Sequence, residues 1–508
     1  MMQRWDAWSW RRRILAVLAG ALSLAIGVLA CYFIAANLLL RTRLLRYLIN
    51  DGPDSTSVEY SAAFSPWPGR LQVSDLRIRD RGTASEWMIG LDEGRAHVGL
   101  LDLVRGRFHP THIRGKGLVV LVRSRLVPGE ATPGRLSVIP PIPGFPDPPL
   151  REPGQKTPPP TGREWTIWLE DVDVDEVREI WVDEYHYLGD ATLTGGMLLH
   201  PRRRFEVFPA TLEVRDGTLR FSEETLAASV RASLAAVIHP YDLREASGDA
   251  VLKFLTGTGR GTGRLENVHF LNVMLDTPPA LRLEGGTGTL QAELSLDQGF
   301  GQGALDFSAT KVEAVMPDAT MTGEAEGRLR LAHFDFNGGL ADFTGSHLGV
   351  RNVLVKRGGE TPWPWWGNLD IATGDLRTGP PRVFYGHLDL HAQDARPLYR
   401  LMNAQIPAWA ESLLRMKGVT ATADVALGRS FADVKSLEAQ GHAFHVLGRY
   451  HAGKNSSDGA FLIDSGSLAL GVWLGDGTSK LQLIGAKSWY REQIAREETR
   501  FPRVARSD

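Results

Sequence analysis

From Ser57 onward, apolar residues recur at every second position in short blocks separated by Gly, Pro, Asn or Asp. "GTLQAELSLDQG", Gly288 to Gly299, is the clearest block. Leu290, Ala292, Leu294 and Leu296 alternate there with Gln291, Glu293, Ser295 and Asp297. A period of two sends successive side chains to opposite faces, so the stretch predicts a strand with one dry and one wet face. Leu281 with Leu283, Leu329 with Leu331, and Leu468, Leu470, Val472 and Leu474 repeat the pattern. Roughly 22–26 such strands fit the chain, and a long antiparallel meander is the simplest way to join them. "RLQVSDLRIRD" changes phase at Ser74-Asp75, as a bulge or tight turn would cause. "FEVFPATLEVRDGTLRF" reads as a hairpin that turns at Asp216-Gly217.

Three stretches depart from alternation. Ile14 to Leu40 carries no charge and is long enough to cross a bilayer. It is too long for the core of a cleaved signal peptide, so it predicts a permanent anchor. Arg4, Arg11, Arg12 and Arg13 precede it, placing the N-terminus inside, with Arg43 and Arg46 at headgroup level on the other side. Val127 to Gly162 holds twelve of the 29 prolines, which cannot join a ladder or a helix; it predicts a disordered or extended insertion. Ala395 to Lys417 has apolar residues spaced by three and four, with Asp394 as N-cap and Gly418 past its end. That amphipathic helix, kinked at Pro407, either covers one end of a core or presents Ile406, Trp409, Leu413 and Met416 as a lid over a groove.

The predicted order is therefore a cytoplasmic N-terminus (1–13), a transmembrane helix (14–40), a β segment (41–126), the Pro-rich insertion (127–163), a β-groove (164–394), the helix (395–417), a second β segment (418–489) and a polar tail (490–508). The fold class is mostly β. Composition narrows the function. Net charge is -2, so no overall field attracts nucleic acid. The single cysteine, Cys31, lies in the anchor, so the exported part can form no disulfide and is stabilised by strand ladders.

Motifs for chemistry are nearly absent. "GRYHAGKN" ends in Asn455 where a phosphate loop needs Ser or Thr, and the next residues are turn and strand. "GTGRGTG", Gly257 to Gly263, has the wrong spacing for a dinucleotide fingerprint and reads as a flexible turn. "EDVDVDE" reads as a solvated strand face, not a calcium loop. His387 and His391, like His442 and His445, lack a third ligand. The sequence thus points to no catalytic residue, metal or cofactor. Trp363, Trp365 and Trp366 in a proline turn either dip into a membrane interface or pack under a loop.

The order of these features resembles the AsmA-like superfamily of Gram-negative envelope proteins, with its TamB and YdbH relatives. The likeness lies in "AAFSPWPGRLQVSDLRIRD", "AHVGLLDLV", "THIRGKGLVVLV", the proline-rich insertion, "FEVFPATLEVRDGTLRF" and "GSLALGVWLGDGTSKLQLIGAKSWY". The resemblance implies an inner-membrane anchor and a periplasmic sheet curled into an open groove. Its apolar inner face would carry phospholipid acyl chains between membranes. Roughly 24 strands at about 4.8 Å each reach on the order of 110 Å, so an outer-membrane or periplasmic partner protein, or a second copy, would have to complete the path. The groove wall would then include Leu281, Leu283, Leu290, Ala292, Leu294, Leu296, Leu329, Leu331, Leu468, Leu470, Val472 and Leu474. A structural scaffold for outer-membrane assembly is the alternative; it predicts two facing sheet layers about 10 Å apart.

Overall fold

The computed structural model describes residues 3–42, 57–99, 102, 105–154, 166–200, 203–243, 248–274, 282–316, 318–377, 381–397, 417–428, 431–442, 444–453, 457–475 and 478–500. They fall into two compact units, residues 1–223 with 233–254, and residues 224–232 with 255–508. The fold is mostly β: an N-terminal apolar helix followed by curled sheet of many strands.

The first unit opens with α1 (Gln3–Arg41), whose stretch Val17–Arg41 is long and apolar enough to cross a membrane. There follow β1 (Ser57–Glu59), β2 (Ala62–Trp67), β3 (Arg70–Arg81), β4 (Ser85–Val98), β5 (Arg107–Phe108), β6 (Pro110–Lys116) and β7 (Leu118–Ser124). After the Pro-rich segment come β8 (Thr166–Val182), β9 (Tyr185–His200) and β10 (Arg204–Phe221). β11 (Glu224–Asp242) gives its first nine residues to the second unit and the rest to the first. The phase change in β3 is a local kink and neither a bulge nor a turn: Asp75 has a positive φ of 50°, while the register from Ser74–Glu93 to Leu76–Leu91 runs on without a shift. The expected hairpin at Asp216-Gly217 is not a turn. β10 runs straight through it, and the signal was a register shift between Val214 and Asp216.

The sheet of this unit is antiparallel except at one joint. β8 runs parallel to β5, β6 and β7, with Ile113 opposite Val172 and Val120 opposite Ile180. Parallel neighbours need a crossover of a dozen or more residues, and the Pro-rich segment is that crossover. Over residues 127–154 it is folded, contrary to expectation; residues 155–165 lie outside the described set. It contains a one-turn helix, α2 (Pro133–Leu136), capped by the Thr132 hydroxyl. Ile142 packs with Met88 and Leu121, and Pro140 and Pro149 are fully buried. Prolines bring carbonyl acceptors without N–H donors, so such a segment needs donors from elsewhere. Arg123 supplies them. Its guanidinium donates to the carbonyls of Pro140 (3.2 Å) and Pro146 (3.0 Å), to Asp147, and to the buried Glu86 carboxylate (2.8 Å). Glu86 and Arg123 sit opposite one another on β4 and β7, at 0% and 1% exposure.

The second unit continues with β12 (Leu255–Leu265), α3 (Phe270–Met274), β13 (Arg282–Asp297), β14 (Phe300–Val315), β15 (Ala319–Asp335), β16 (Leu340–Asp342), β17 (Ser346–Arg357), β18 (Trp363–Arg377) and β19 (Val383–Ala392). It closes with β20 (Val419–Gly428), β21 (Phe431–Gly441), β22 (Phe444–Ala452), β23 (Ser457–Asp464), β24 (Ala469–Gly475), β25 (Thr478–Gln482) and α4 (Ala486–Arg500). Among the described residues, the strands from β12 to β25 pair antiparallel. "GTGRGTG" is not a flexible turn but β12 itself: Gly257, Gly259, Gly261 and Gly263 stand opposite Leu296, Leu294, Ala292 and Leu290. The expected polar tail begins as helix α4, whose Trp489 ring covers Gly471 of β24; a Cβ there would lie 2.5 Å from it. Bulges with positive φ at His112 and Asp171 in the first unit, and at Lys311 and Asn352 in the second, fall at register shifts. An extra residue on one strand bends it and raises its twist, which is the physical source of the curl.

Candidate functional site

Register carries the apolar side chains of the second unit across its strands in rows. One row runs Gly263, Leu290, Phe307, Gly327, Leu348 and Leu369. It continues through Leu390, Ala421, Ala439, Val446 and Ile463 to Leu470. A second row links Gly261, Ala292, Leu305 and Leu329, and a third Gly259, Leu294, Gly303 and Leu331. Farther along, Leu437, Gly448, Phe461 and Val472 are aligned, as are Val434, Tyr450, Gly459 and Leu474. Rings lie over glycines in these rows: Phe307 over Gly327 and Phe461 over Gly448, each within 2.6 Å of where a Cβ would sit. Glycine is required there to let the neighbouring ring lie flat.

Leucines of this face remain open. Leu294, Leu329, Leu348 and Leu427 are 40–43% exposed. Two clusters cover the face at one end of the strands. Val268 and Phe270 pack with Leu265 and Ala309, against Leu283, Leu290 and Phe307. Val353, Val355, Trp365 and Ala392 form the other, against Met321 and Trp363. Trp365 Nε1 donates to the Asp394 carbonyl at 3.0 Å. Asp394 Oδ1 in turn accepts from the Arg396 backbone N–H at 3.0 Å, the bond an N-cap makes. Trp363 and Trp365 therefore pack at a loop, while Trp366 faces the other side and is exposed.

Of the predicted wall residues, Leu283 and Leu290 touch the first cluster, and Leu294 and Leu329 are exposed. Ala292, Leu296, Leu331, Val472 and Leu474 are half-buried, and Leu470 is buried. Leu468 lies in the turn before β24, not on the strand. Leu281 and the lid residues Ile406, Trp409, Leu413 and Met416 lie outside the described residues. Sequence reading passed over Phe307, Leu348, Leu369 and Leu390, although "GALDFSAT", "SHLGV", "GNLDIAT" and "GHLDLHA" carry the same alternation.

The opposite face is charged and internally paired. Arg328 lies 3.6 Å from both Glu293 and Asp306. His347 meets Asp370 at 2.6 Å, His387 meets Asp424 at 2.8 Å and His445 meets Glu438 at 2.8 Å. Among the described residues no three His, Cys, Asp or Glu side chains are grouped to hold a metal ion. In the first unit, Ile78, Ile89, Val120, Ile180, Tyr187 and Leu219 form a comparable row. Burial, with Asp190 and Asp216 nearby, pushes the Tyr187 hydroxyl up to about 12. "EDVDVDE" lies within β8, where Arg114 is 3.5 Å from Asp171 and 3.3 Å from Asp173. "GRYHAG" lies in β22 and its end, without the helix that phosphate binding needs. Comparison with family models, with curated proteins and with solved structures finds no match.

Proposed function

We propose that the apolar sheet face of the second unit holds phospholipid acyl chains. In this reading the chain is an inner-membrane-anchored periplasmic protein that binds or transfers phospholipids between envelope membranes, together with an outer-membrane or periplasmic partner. The observation that carries it is the set of in-register apolar rows in which Leu294, Leu329 and Leu348 stay about two-fifths exposed, while Arg328 pairs with Glu293 and Asp306 on the reverse face. Apolar area left in water costs about 25 cal/mol per Å², and contiguous patches of it mark binding surfaces. An acyl chain relieves that cost, at about 0.8 kcal/mol per buried CH₂, without any polar chemistry. α4 leaves these rows free, because it packs over Gly471 on the other side. The resemblance to the AsmA-like superfamily supports the same reading.

The test is photo-crosslinking in cells from benzoylphenylalanine placed at Leu294 or Leu348, compared with Glu293 or Asp370 on the reverse face. Phospholipid adducts at the first pair and not at the second are expected. Equal labelling of both faces, or none at Leu294 and Leu348, would overturn it.

A further inference from the structure

α1 carries more apolar length than a bilayer needs. Ile14 to Leu40 extends about 40 Å, against about 30 Å of hydrocarbon. One face of the surplus is docked, while Ile34 and Leu38 on the other stay exposed. Asn37, the one side-chain amide in that run, is buried: its Oδ1 accepts from the Ser65 N–H at 2.8 Å and its Nδ2 donates to the Ser65 carbonyl at 3.1 Å. Ser65 falls in the register shift between β2 and β3, so the amide stands where a neighbouring strand would and closes that edge. Tyr32 Oη lies 3.1 Å from Ser65 Oγ and accepts from the Gly69 N–H at 3.4 Å. Tyr60 Oη donates to the Leu40 carbonyl at 3.0 Å, and the Phe33 and Phe64 rings meet edge to face.

These contacts fix a direction. β2 runs antiparallel to α1, with Tyr60 beside Leu40 and the β2–β3 hairpin tip beside Tyr32. The tip, with Trp67 57% exposed, therefore reaches about 13 Å back along the helix from Arg41. A bilayer surface at Arg41 would sink the hairpin backbone and the exposed Arg70 into hydrocarbon, at several kcal/mol for each unsatisfied group. A surface at Tyr32 leaves Ile14 to Cys31, about 27 Å, to span the core. Tyr32 and Trp67 then sit in the interfacial layer that such rings prefer.

We propose that the hairpin tip, Ser65 to Gly69, rests in the headgroup layer of the membrane crossed by Ile14–Cys31, with Trp67 as its interfacial anchor and Asn37 as the clamp. The partner is the lipid surface itself. The proposal rests on α1 being a membrane anchor and not on acyl-chain binding. Its consequence is that the half-buried Leu71 and Val73 of β3 start beside the bilayer surface.

Nitroxide labels on the full-length protein in phosphatidylethanolamine–phosphatidylglycerol vesicles read depth from oxygen against nickel-chelate accessibility. The native Cys31 is one site; Trp67→Cys and Leu38→Cys, each in a Cys31→Ser background, are the others. Oxygen should dominate at position 31, position 67 should read as interfacial, and position 38 should favour nickel. The reverse order of 31 and 38, or a fully aqueous 67, overturns the proposal. A fully aqueous Cys31 overturns it together with the anchor reading, whereas the crosslinking test bears on acyl chains alone. Asn37→Leu should broaden the distance distribution between labels at 31 and 67; an unchanged distribution refutes the clamp.

Discussion

Strands β4, β7 and β8 of the first unit and strands β13 to β17 of the second use the same residue types and end in opposite states. In β7, "LVVLV" is apolar at every position: Leu121 packs with Met88 under Ile142, while Val120 faces the other way, in the row of Ile78 and Ile89. In β13 the alternation is strict, one face is open and the other is ion-paired. The cause is the connection. Parallel pairing of β7 with β8 sends a long crossover back over one face, and that chain buries it. β13 to β14 is a tight hairpin at Gln298-Gly299, both residues with positive φ, so no chain is left over at that end to cover Leu294, and the β12–β13 connection reaches only as far as Leu290. An open apolar face is thus what a meander of hairpins leaves behind.

The sharpest way to break the comparison is Arg123→Met. It leaves Glu86 buried with weaker company, Arg81 at 2.9 Å and Arg125 at 3.8 Å, and orphans the carbonyls of Pro140 and Pro146. A loss of about 3 kcal/mol is expected in the urea unfolding of the full-length protein in micelles. A loss below about 1 kcal/mol would mean the crossover is not held by this guanidinium. Next in size is Ile142→Ala, expected to cost about 2–4 kcal/mol, since the site is closed on all sides. Leu294→Ala, with its side chain already two-fifths in solvent, should cost under about 1 kcal/mol in the same assay. Equal losses at the two positions would erase the distinction between covered and open faces.

The faces of the open strands were readable in the sequence and the cover over the others was not, for one reason. Alternation in Leu290 to Leu296 or in "GHLDLHA" names its own faces, because each side chain reports whether its side is wet. The kink at Asp75 announced itself in the same way, as a phase error. "LVVLV" carried the signal of a strand buried on both faces, yet it reads identically whether the cover is a sheet, a helix or a loop. The Pro-rich cover was misread because prolines exclude ladders and helices without excluding a fixed path. What fixes that path is Arg123, far enough in sequence that no local pattern links it to Pro146. β12 failed differently: its apolar face is written in glycines, which show no hydrophobic period although at Gly263 a Cβ would lie 2.9 Å from that of Ala227 on β11. Asn37 was hidden in the anchor because one amide hardly changes its hydropathy.

Leu348→Asp sharpens the comparison on function. The position is exposed on the apolar face, so a carboxylate there stays hydrated and stability should change by less than about 1 kcal/mol. Phospholipid adducts from a benzoylphenylalanine at Leu294 should nevertheless fall several-fold, because acyl chains would have to pass a charge. Unchanged adducts with an intact fold would separate the apolar rows from lipid binding.

The smallest effect belongs to the end of the sheet that does have a cover. Lys487 of α4 lies 2.5 Å from Asp464 of β23, and this pair, helped by the Gly466 N–H, holds the Asp464 carboxyl below its ordinary range. A carboxyl depressed in the folded state adds stability that is fully present above the usual carboxylate value, near 3.9, and is lost as pH falls through the folded value. Lys487→Met should move the Asp464 titration upward in carboxyl-detected NMR, and not all the way, because the Gly466 bond remains. No movement would mean that α4 leaves the sheet in solution. The exposed ion pair is weakened by salt, whereas the Trp489 ring against Gly471 is not. Gly471→Val should therefore displace α4 at neutral pH and high salt alike, where loss of Lys487 does not.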